Sequence, residues 1–211
     1  MSKIPFFQFL IQRLEISLPG RAAQLKMAPE PVEGQYQHNG QPPEDATPNS
    51  VILLLFPGES GEIECLLTHR TEQIRHGGQI SFPGGRSEHG EQPHQTALRE
   101  MQEEVGIPPG FVEVAGRITS LYLHTTSSLI LPFVGLMESP PRLKLHPGEV
   151  QEAFTVPLNQ LADEKNIVRE IWQLRDRDYR VPYWDIHSVP LWGATAMMLS
   201  EMIEIYREFS G

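Results

Sequence analysis

The stretch GRSEHGEQPHQTALREMQEEVGI, residues 85–107, decides the fold and the chemistry of this 211-residue chain. It predicts a helix over residues 92–105, because Pro93 suits a first helical position and Gly106 suits the residue just past a helix end. Two prolines shortly after Gly106 prevent the helix from continuing. The helix therefore has well-marked ends and is preceded by a glycine-rich loop.

Three carboxylates share one edge of this predicted helix. At about 100° per residue, Glu100 and Glu104 lie some 40° apart beside the apolar face, and Glu103 lies about 60° from Glu100. Like charges at these spacings repel by a few tenths of a kcal/mol per pair, which a cation would offset. Hard divalent cations prefer such oxygen ligands. The alternative is an ordinary solvated acidic face.

The loop and helix resemble the Nudix box, the signature of Nudix hydrolases. The matching positions are Gly85, Glu91, Arg99, Glu100, Met101, Glu103, Glu104, Gly106 and Ile107. The resemblance implies an α/β fold, an α/β/α sandwich with a mixed sheet and a loop–helix–loop catalytic motif. It also implies that Mg²⁺ or Mn²⁺ is the cofactor and that the substrate is a nucleoside diphosphate linked to another group.

Carried over by position, the resemblance assigns roles to the charged residues of the box. Glu100 and Glu104 would be the leading metal ligands, and Glu103 a further ligand, directly or through water. Glu91 and Arg99 would orient the helix carboxylates as part of the catalytic machinery.

A further carboxylate is expected from a loop after the box, since many Nudix enzymes use one to assist the metal or to act as the base. Glu149 and Glu152 are the candidates, and we take Glu149 as the catalytic one. A solvated turn before a strand is the alternative interpretation of both.

The segment before the box, LLTHRTEQIRHGGQISFPGG (residues 66–85), carries a second resemblance. It is similar to the extra motif of Nudix coenzyme A pyrophosphatases, which reads LLTxRSxxxRxxxGxxxFPGG. The sequence departs from it where Thr71 replaces serine and where two residues rather than three separate Arg75 from Gly78.

This second resemblance implies a substrate and the residues that bind it. Arg70 and Arg75 suit phosphate contacts, because guanidinium groups match phosphate oxygens. Gly84 lies where backbone groups can approach the substrate. The implied reaction splits coenzyme A or an acyl-CoA into adenosine 3′,5′-bisphosphate and 4′-phosphopantetheine or its acylated form.

Two other functions stay open at this point. One is the same chemistry on ADP-ribose, NADH or a dinucleoside polyphosphate; Tyr122 weakly favours the last, and the SQPWPFPxS array of NADH-cleaving members is missing after Ile107. The other is a nucleotide-binding Nudix sensor without turnover. Inactive relatives tend to lose box carboxylates, whereas all are present here.

The rest of the chain predicts three parts: an amphipathic N-terminal arm with a short helix (residues 1–27), a Pro/Gly-rich connection (28–49) and a Nudix domain (50–211). Strands are expected at 51–56, 63–69, 112–118, 121–124, 129–137, within 149–158 and at 179–186, and a C-terminal amphipathic helix at 194–209. The apolar arm needs a surface to cover it, which favours a homodimer or burial against its own chain.

Composition limits the partners. With 17 Lys and Arg against 27 Asp and Glu, the formal charge is −10, which argues against nucleic acid as a partner. No apolar run approaches the roughly 18 residues of a spanning helix, so no membrane association is expected. The single cysteine, Cys65, allows no intrachain disulfide and fits a cytoplasmic location.

Overall fold

A computed structural model describes residues 3–34, 42–72 and 77–210. The helices are α1 (Pro5–Arg13), α2 (Gly20–Leu25), α3 (Pro93–Val105), α4 (Leu158–Ala162) and α5 (Gly193–Ser210), with short 3₁₀ turns at Pro109–Phe111 and Glu164–Asn166. The strands are β1 (Glu30–Pro31), β2 (Thr47–Pro57), β3 (Ile63–Arg70), β4 (Ile80–Ser81), β5 (Gly84–Arg86), β6 (Glu113–Arg117), β7 (Leu121–Leu123), β8 (Ser128–Leu136), β9 (Val150–Pro157), β10 (Ile167–Leu174) and β11 (Arg177–Trp184).

Eight of these strands form one mixed sheet. Its central pair, β2 and β8, is parallel, and the remaining pairings are antiparallel. The main path runs β4-β3-β2-β8-β6, while β9 pairs with β3, β5 with β2 and β7 with β8. A separate three-stranded sheet has the order β1-β11-β10.

Helices cover both faces of the large sheet, and β2 shows how the sequence specifies this. Its side chains alternate, because successive residues of a strand point to opposite faces. Ile52, Leu54 and Phe56 belong to the core that α3 covers. Leu53 and Leu55 belong to the larger core that contains α1 and α5. The expected α/β/α sandwich with a mixed sheet is confirmed.

The N-terminal arm packs against its own chain. Phe6, Phe7 and Leu10 of α1 are buried in the same core as α5, and Arg13 at the end of α1 pairs with Glu208. The surface that the apolar arm requires is therefore present within one chain. The homodimer remains a prediction that would need another contact surface.

The sequence-based element assignment differs from the structure in several places, and the short strands β4 and β5 were not predicted. The arm holds two helices, because the chain leaves α1 after Arg13 and starts α2 at Gly20. The segment expected as a connection contains β1 and the beginning of β2. Strand β10 was not predicted; its charged Arg169 and Glu170 interrupt the apolar alternation that marks a strand.

No helix among the described residues is long and apolar enough to cross a membrane.

Candidate active site

Three carboxylates converge where α3 passes the end of β3 and the start of β9. Glu100 and Glu104 come from α3, and Glu149 comes from the residue before β9. One oxygen atom from each of the three carboxylates lies within 4.8 Å of the others. This group is called the carboxylate cluster below.

Local backbone contacts bring Glu149 to the helix. The amide of Thr71, just past β3, donates to the Glu149 carbonyl oxygen at 3.0 Å, and the amide of His146 donates to the Glu104 carbonyl oxygen at 2.9 Å. The loop between β8 and β9 is thereby held against both the helix and the end of β3. The cluster thus depends on contacts between segments distant in sequence.

The glycines before α3 permit close approach. A Cβ at Gly85 would overlap the Glu100 carboxylate, so a larger residue there would displace that side chain. The amide of Gly84 donates to Glu104 Oε2 at 3.3 Å. The strand β5 that carries both glycines pairs with β2 and is therefore fixed on the sheet.

Glu104 is the most buried member of the cluster, with 1% of its surface exposed. Burial raises its pKa to about 7, an effect that Arg70 opposes by ion pairing and the Gly84 amide opposes by hydrogen bonding. The Arg70 Nη1–Glu104 Oε1 distance is 3.0 Å. Burial also raises the pKa of Glu100, although the neighbouring Arg99 lowers it. A cation at the cluster would favour the ionised form of both groups.

Arg99 connects the carboxylates around the cluster. Its Nε donates to Glu91 Oε1 at 2.9 Å, its Nη1 to Glu103 Oε2 at 2.9 Å and its Nη2 to Glu100 Oε1 at 3.0 Å. Thr96 also donates to Glu91, at 2.7 Å. This network fixes the Glu100 carboxylate beside Gly85.

Glu103 and Glu152 lie apart from the three converging carboxylates. The Glu103 side chain is 55% exposed and pairs with Arg99, so its role as a metal ligand stays a prediction. Glu152 pairs with His187 at 3.2 Å. Of the two loop carboxylates considered from sequence, the structure brings Glu149 to the cluster.

The cluster fits a hard divalent cation. Three carboxylates supply oxygen atoms, the ligands that Mg²⁺ and Mn²⁺ prefer. Glu104 faces Arg70 while two further acids stand close to it. Glu100, Glu104 and Glu149 are thus the residues that would hold the ion.

A cavity of about 980 Å³ opens beside the cluster. Arg70, Gly84 and Gly85 line its wall near the carboxylates. Residues of the three-stranded sheet and the start of α5 also line it, including Arg175 and Trp192. The space has room for a nucleotide-sized molecule next to the cluster.

Sequence reasoning anticipated part of this wall. Arg70, Gly84 and Tyr122 line the cavity, whereas Arg75 lies outside the described residues. Trp192, directly before the C-terminal helix, was not predicted to line a site. Arg175 had no sequence signal, because its position depends on the unpredicted strand β10.

The sandwich and the carboxylate cluster together are typical of hydrolases that use a divalent cation against a phosphate-containing substrate. The sequence agrees, since residues 46–176 match the family model described as NUDIX domain. The chain belongs to the NUDIX domain family, and the resemblance inferred from the box is confirmed.

Similar proteins include several Nudix hydrolases. "Nudix hydrolase 15, mitochondrial" of Arabidopsis thaliana is 30% identical over 160 residues, which cover 71% of this chain and 55% of that protein. "Peroxisomal coenzyme A diphosphatase ndx-8" of Caenorhabditis elegans is 32% identical over 152 residues, covering 70% of this chain and 64% of that protein. The chain thus spans between about half and just under two thirds of the length of these two relatives.

A solved structure shows the same fold. The Nudix hydrolase RenU from "M. Smegmatis" superimposes with a TM-score of 0.53 at 20% identity, covering 77% of this chain and 87% of that one.

Proposed function

We propose that this protein hydrolyses the pyrophosphate bond of coenzyme A or an acyl-CoA, with Mg²⁺ or Mn²⁺ as cofactor. One observation carries the choice of substrate. Arg70 stands in the segment that resembles the coenzyme A pyrophosphatase motif, pairs with Glu104 of the cluster and also lines the cavity. The similarity to a coenzyme A diphosphatase supports the same choice.

The reaction adds one water across a phosphoanhydride. A new P–O bond forms to one phosphorus while its bond to the bridging oxygen breaks, leaving two phosphate monoesters. A divalent cation bound at the cluster supplies charge neutralisation of the pyrophosphate and lowers the pKa of a coordinated water molecule.

The chain's own residues orient this site. Arg99 holds Glu100 in place through the contacts described above, and Gly84 and Arg70 fix the two oxygens of Glu104. Arg70 also lines the cavity, where its guanidinium group suits a substrate phosphate. Glu149 is the candidate to accept the proton released from water, since it is the most exposed member of the cluster.

Hydrolysis of a substrate panel tests the proposal. The purified chain is incubated with Mg²⁺ or Mn²⁺ and coenzyme A, dephospho-coenzyme A, NADH, ADP-ribose or a diadenosine polyphosphate. We expect coenzyme A or its acyl form to give the highest kcat/KM, with adenosine 3′,5′-bisphosphate as a product. Preference for another nucleotide would overturn the substrate, and binding without hydrolysis of any compound would favour a sensor.

A further inference from the structure

The hairpin of β10 and β11 places one arginine at the wall of the cavity. The pairing of Leu174 with Arg177 closes the hairpin and leaves Arg175 and Asp176 as its turn. Arg175 lines the cavity together with Gln173 and Leu174 of the same hairpin. A separate sheet thus contributes an arginine residue to the lining of the cavity that Arg70, Gly84 and Gly85 also line.

The backbone at this turn is unfavourable for arginine. Arg175 has a φ of 59°, in the left-handed region that a two-residue hairpin turn usually fills with asparagine or glycine. A side chain other than glycine, asparagine or aspartate costs roughly 1 kcal/mol there. Such a cost at the edge of a cavity points to a role for the side chain.

The Arg175 side chain also has no ion-pair or hydrogen-bond partner among the described residues. This chain has ten more acidic than basic residues, as 27 − 17 shows, yet no acid of the described ranges pairs with this guanidinium. Arg70, by comparison, is already paired with Glu104. Arg175 is therefore available to an anionic ligand.

We propose that Arg175 is a specificity-determining residue that binds a phosphate monoester of the substrate, separate from the scissile pyrophosphate. The inference rests on the proposed function, in which that group is the 3′-phosphate of coenzyme A. Arg70 and the glycines stand on the cavity wall next to the carboxylates, where the pyrophosphate belongs. Arg175 lines the same cavity from the separate three-stranded sheet, and we assign to it the part of the substrate that lies away from the pyrophosphate.

Kinetics with two substrates tests this role. Coenzyme A and dephospho-coenzyme A differ only in the 3′-phosphate. A charge-assisted contact is worth about 1.5–3 kcal/mol, so Arg175→Ala should lower kcat/KM for coenzyme A roughly 10- to 100-fold, mainly through KM. The kcat/KM of the Arg175→Ala variant for dephospho-coenzyme A should stay within about twofold of wild type, because that substrate lacks the 3′-phosphate.

Arg177→Ala is the matched control. Arg177 has the same charge, is exposed and lies on the same hairpin, but it does not line the cavity. It should leave both substrates unchanged. Equal losses for the two substrates in Arg175→Ala, or equal losses in the two variants, would overturn the inference.

A binding measurement separates this inference from the proposed reaction. Adenosine 3′,5′-bisphosphate and AMP are titrated into wild type and Arg175→Ala by calorimetry. Wild type should prefer the bisphosphate, and the variant should lose that preference. If wild type does not hydrolyse coenzyme A, the proposed function fails, while the binding ratio still decides whether Arg175 reads a phosphate monoester. An unchanged ratio in the variant would refute the assignment.

Stability offers an independent readout. Arg175→Asn removes the charge and places a residue that tolerates the left-handed backbone without the extra unfolded-state entropy of glycine, so its Tm should rise by roughly 1–2 °C. The same variant should lose discrimination for the 3′-phosphate. A residue that only closed the turn would not combine a higher Tm with a loss of discrimination for the 3′-phosphate. A fall in Tm would contradict the argument from backbone strain.

Discussion

At the residue scale, three glutamates of one helix edge differ in their surroundings. Glu104 is almost fully buried beside Arg70, Glu100 lies against Gly85, and Glu103 is largely exposed. From the helix spacing alone, all three glutamates were equally suited to bind a metal ion. Burial and hydrogen-bond partners distinguish Glu100 and Glu104, which can converge on one ion, from Glu103, which faces solvent.

Replacement of Glu104 should therefore be more damaging than replacement of Glu103. Glu104→Gln keeps the shape but removes a ligand charge, so activity should fall well beyond the roughly 10–100-fold of a change outside the ligand shell. Glu103→Gln is the matched control, with the smaller loss. Steady-state kinetics at saturating Mg²⁺ measures both, and near-normal turnover in Glu104→Gln would refute its assignment.

Glu91 predicts a pH dependence of stability. Its hydrogen bonds to Arg99, the Glu88 amide and Thr96 lower its pKa from 4.5 to about 2. A carboxyl whose pKa is lowered by folding stabilises the protein above pH 4.5, and this contribution disappears as the pH falls through 2.

Thermal unfolding of wild type and Glu91→Gln between pH 7 and pH 2 measures this effect. Wild type should have the higher Tm near neutral pH, and the difference should shrink below pH 4.5. A difference that stays constant down to pH 2 would show that the Glu91 carboxylate is not the cause.

At the element scale, α5 holds the arm and the β6–β7 connection through a buried carboxylate. Glu201 Oε1 accepts from the Gly20 amide at 3.0 Å and from the Thr119 hydroxyl at 2.6 Å, and Oε2 accepts from Gln24 Nε2 at 2.9 Å. Glu201 has no exposed surface. The groups that contact this carboxylate are all hydrogen-bond donors, so both of its oxygens must accept.

Glu201→Gln should destabilise the fold. The NH2 group of the glutamine would face at least one donor that the carboxylate oxygen now accepts from. That buried hydrogen bond would be lost, at a cost of about 1–3 kcal/mol. Glu204→Gln, on the half-exposed side of the same helix, is the control and should cost less than about 1 kcal/mol, as is usual for surface ion pairs. Urea unfolding compares the two, and equal costs would contradict the role of Glu201.

The same scale shows what the sequence could predict. Helix α3 was located to within one residue, because Pro93 and Gly106 mark its ends locally. Glu149 was expected at the site only from the family resemblance, because its approach to the helix depends on the long-range pairing of β3 with β9. Arg175 was also out of reach, because a hairpin turn without glycine or asparagine gives no local signal.

At the scale of the whole molecule, the arm is part of the single-chain core. Phe7 is fully buried among residues of the larger core. Phe7→Ala should therefore lower the free energy of unfolding by about 3–5 kcal/mol. The highly exposed Phe111, changed to alanine, serves as the control with little effect.

The loss in Phe7→Ala should not depend on protein concentration, because Phe7 packs within its own chain. Unfolding followed over a wide concentration range checks this. A loss that grows on dilution would instead place the arm between two copies of the chain.

The central claim is that Glu100, Glu104 and Glu149 hold a divalent cation beside the cavity. Anomalous scattering from crystals soaked in Mn²⁺ tests it most directly. The account predicts an anomalous peak within bonding distance of carboxylate oxygens of these three residues. Absence of a peak there, in crystals of protein that still hydrolyses its nucleotide, would contradict the account.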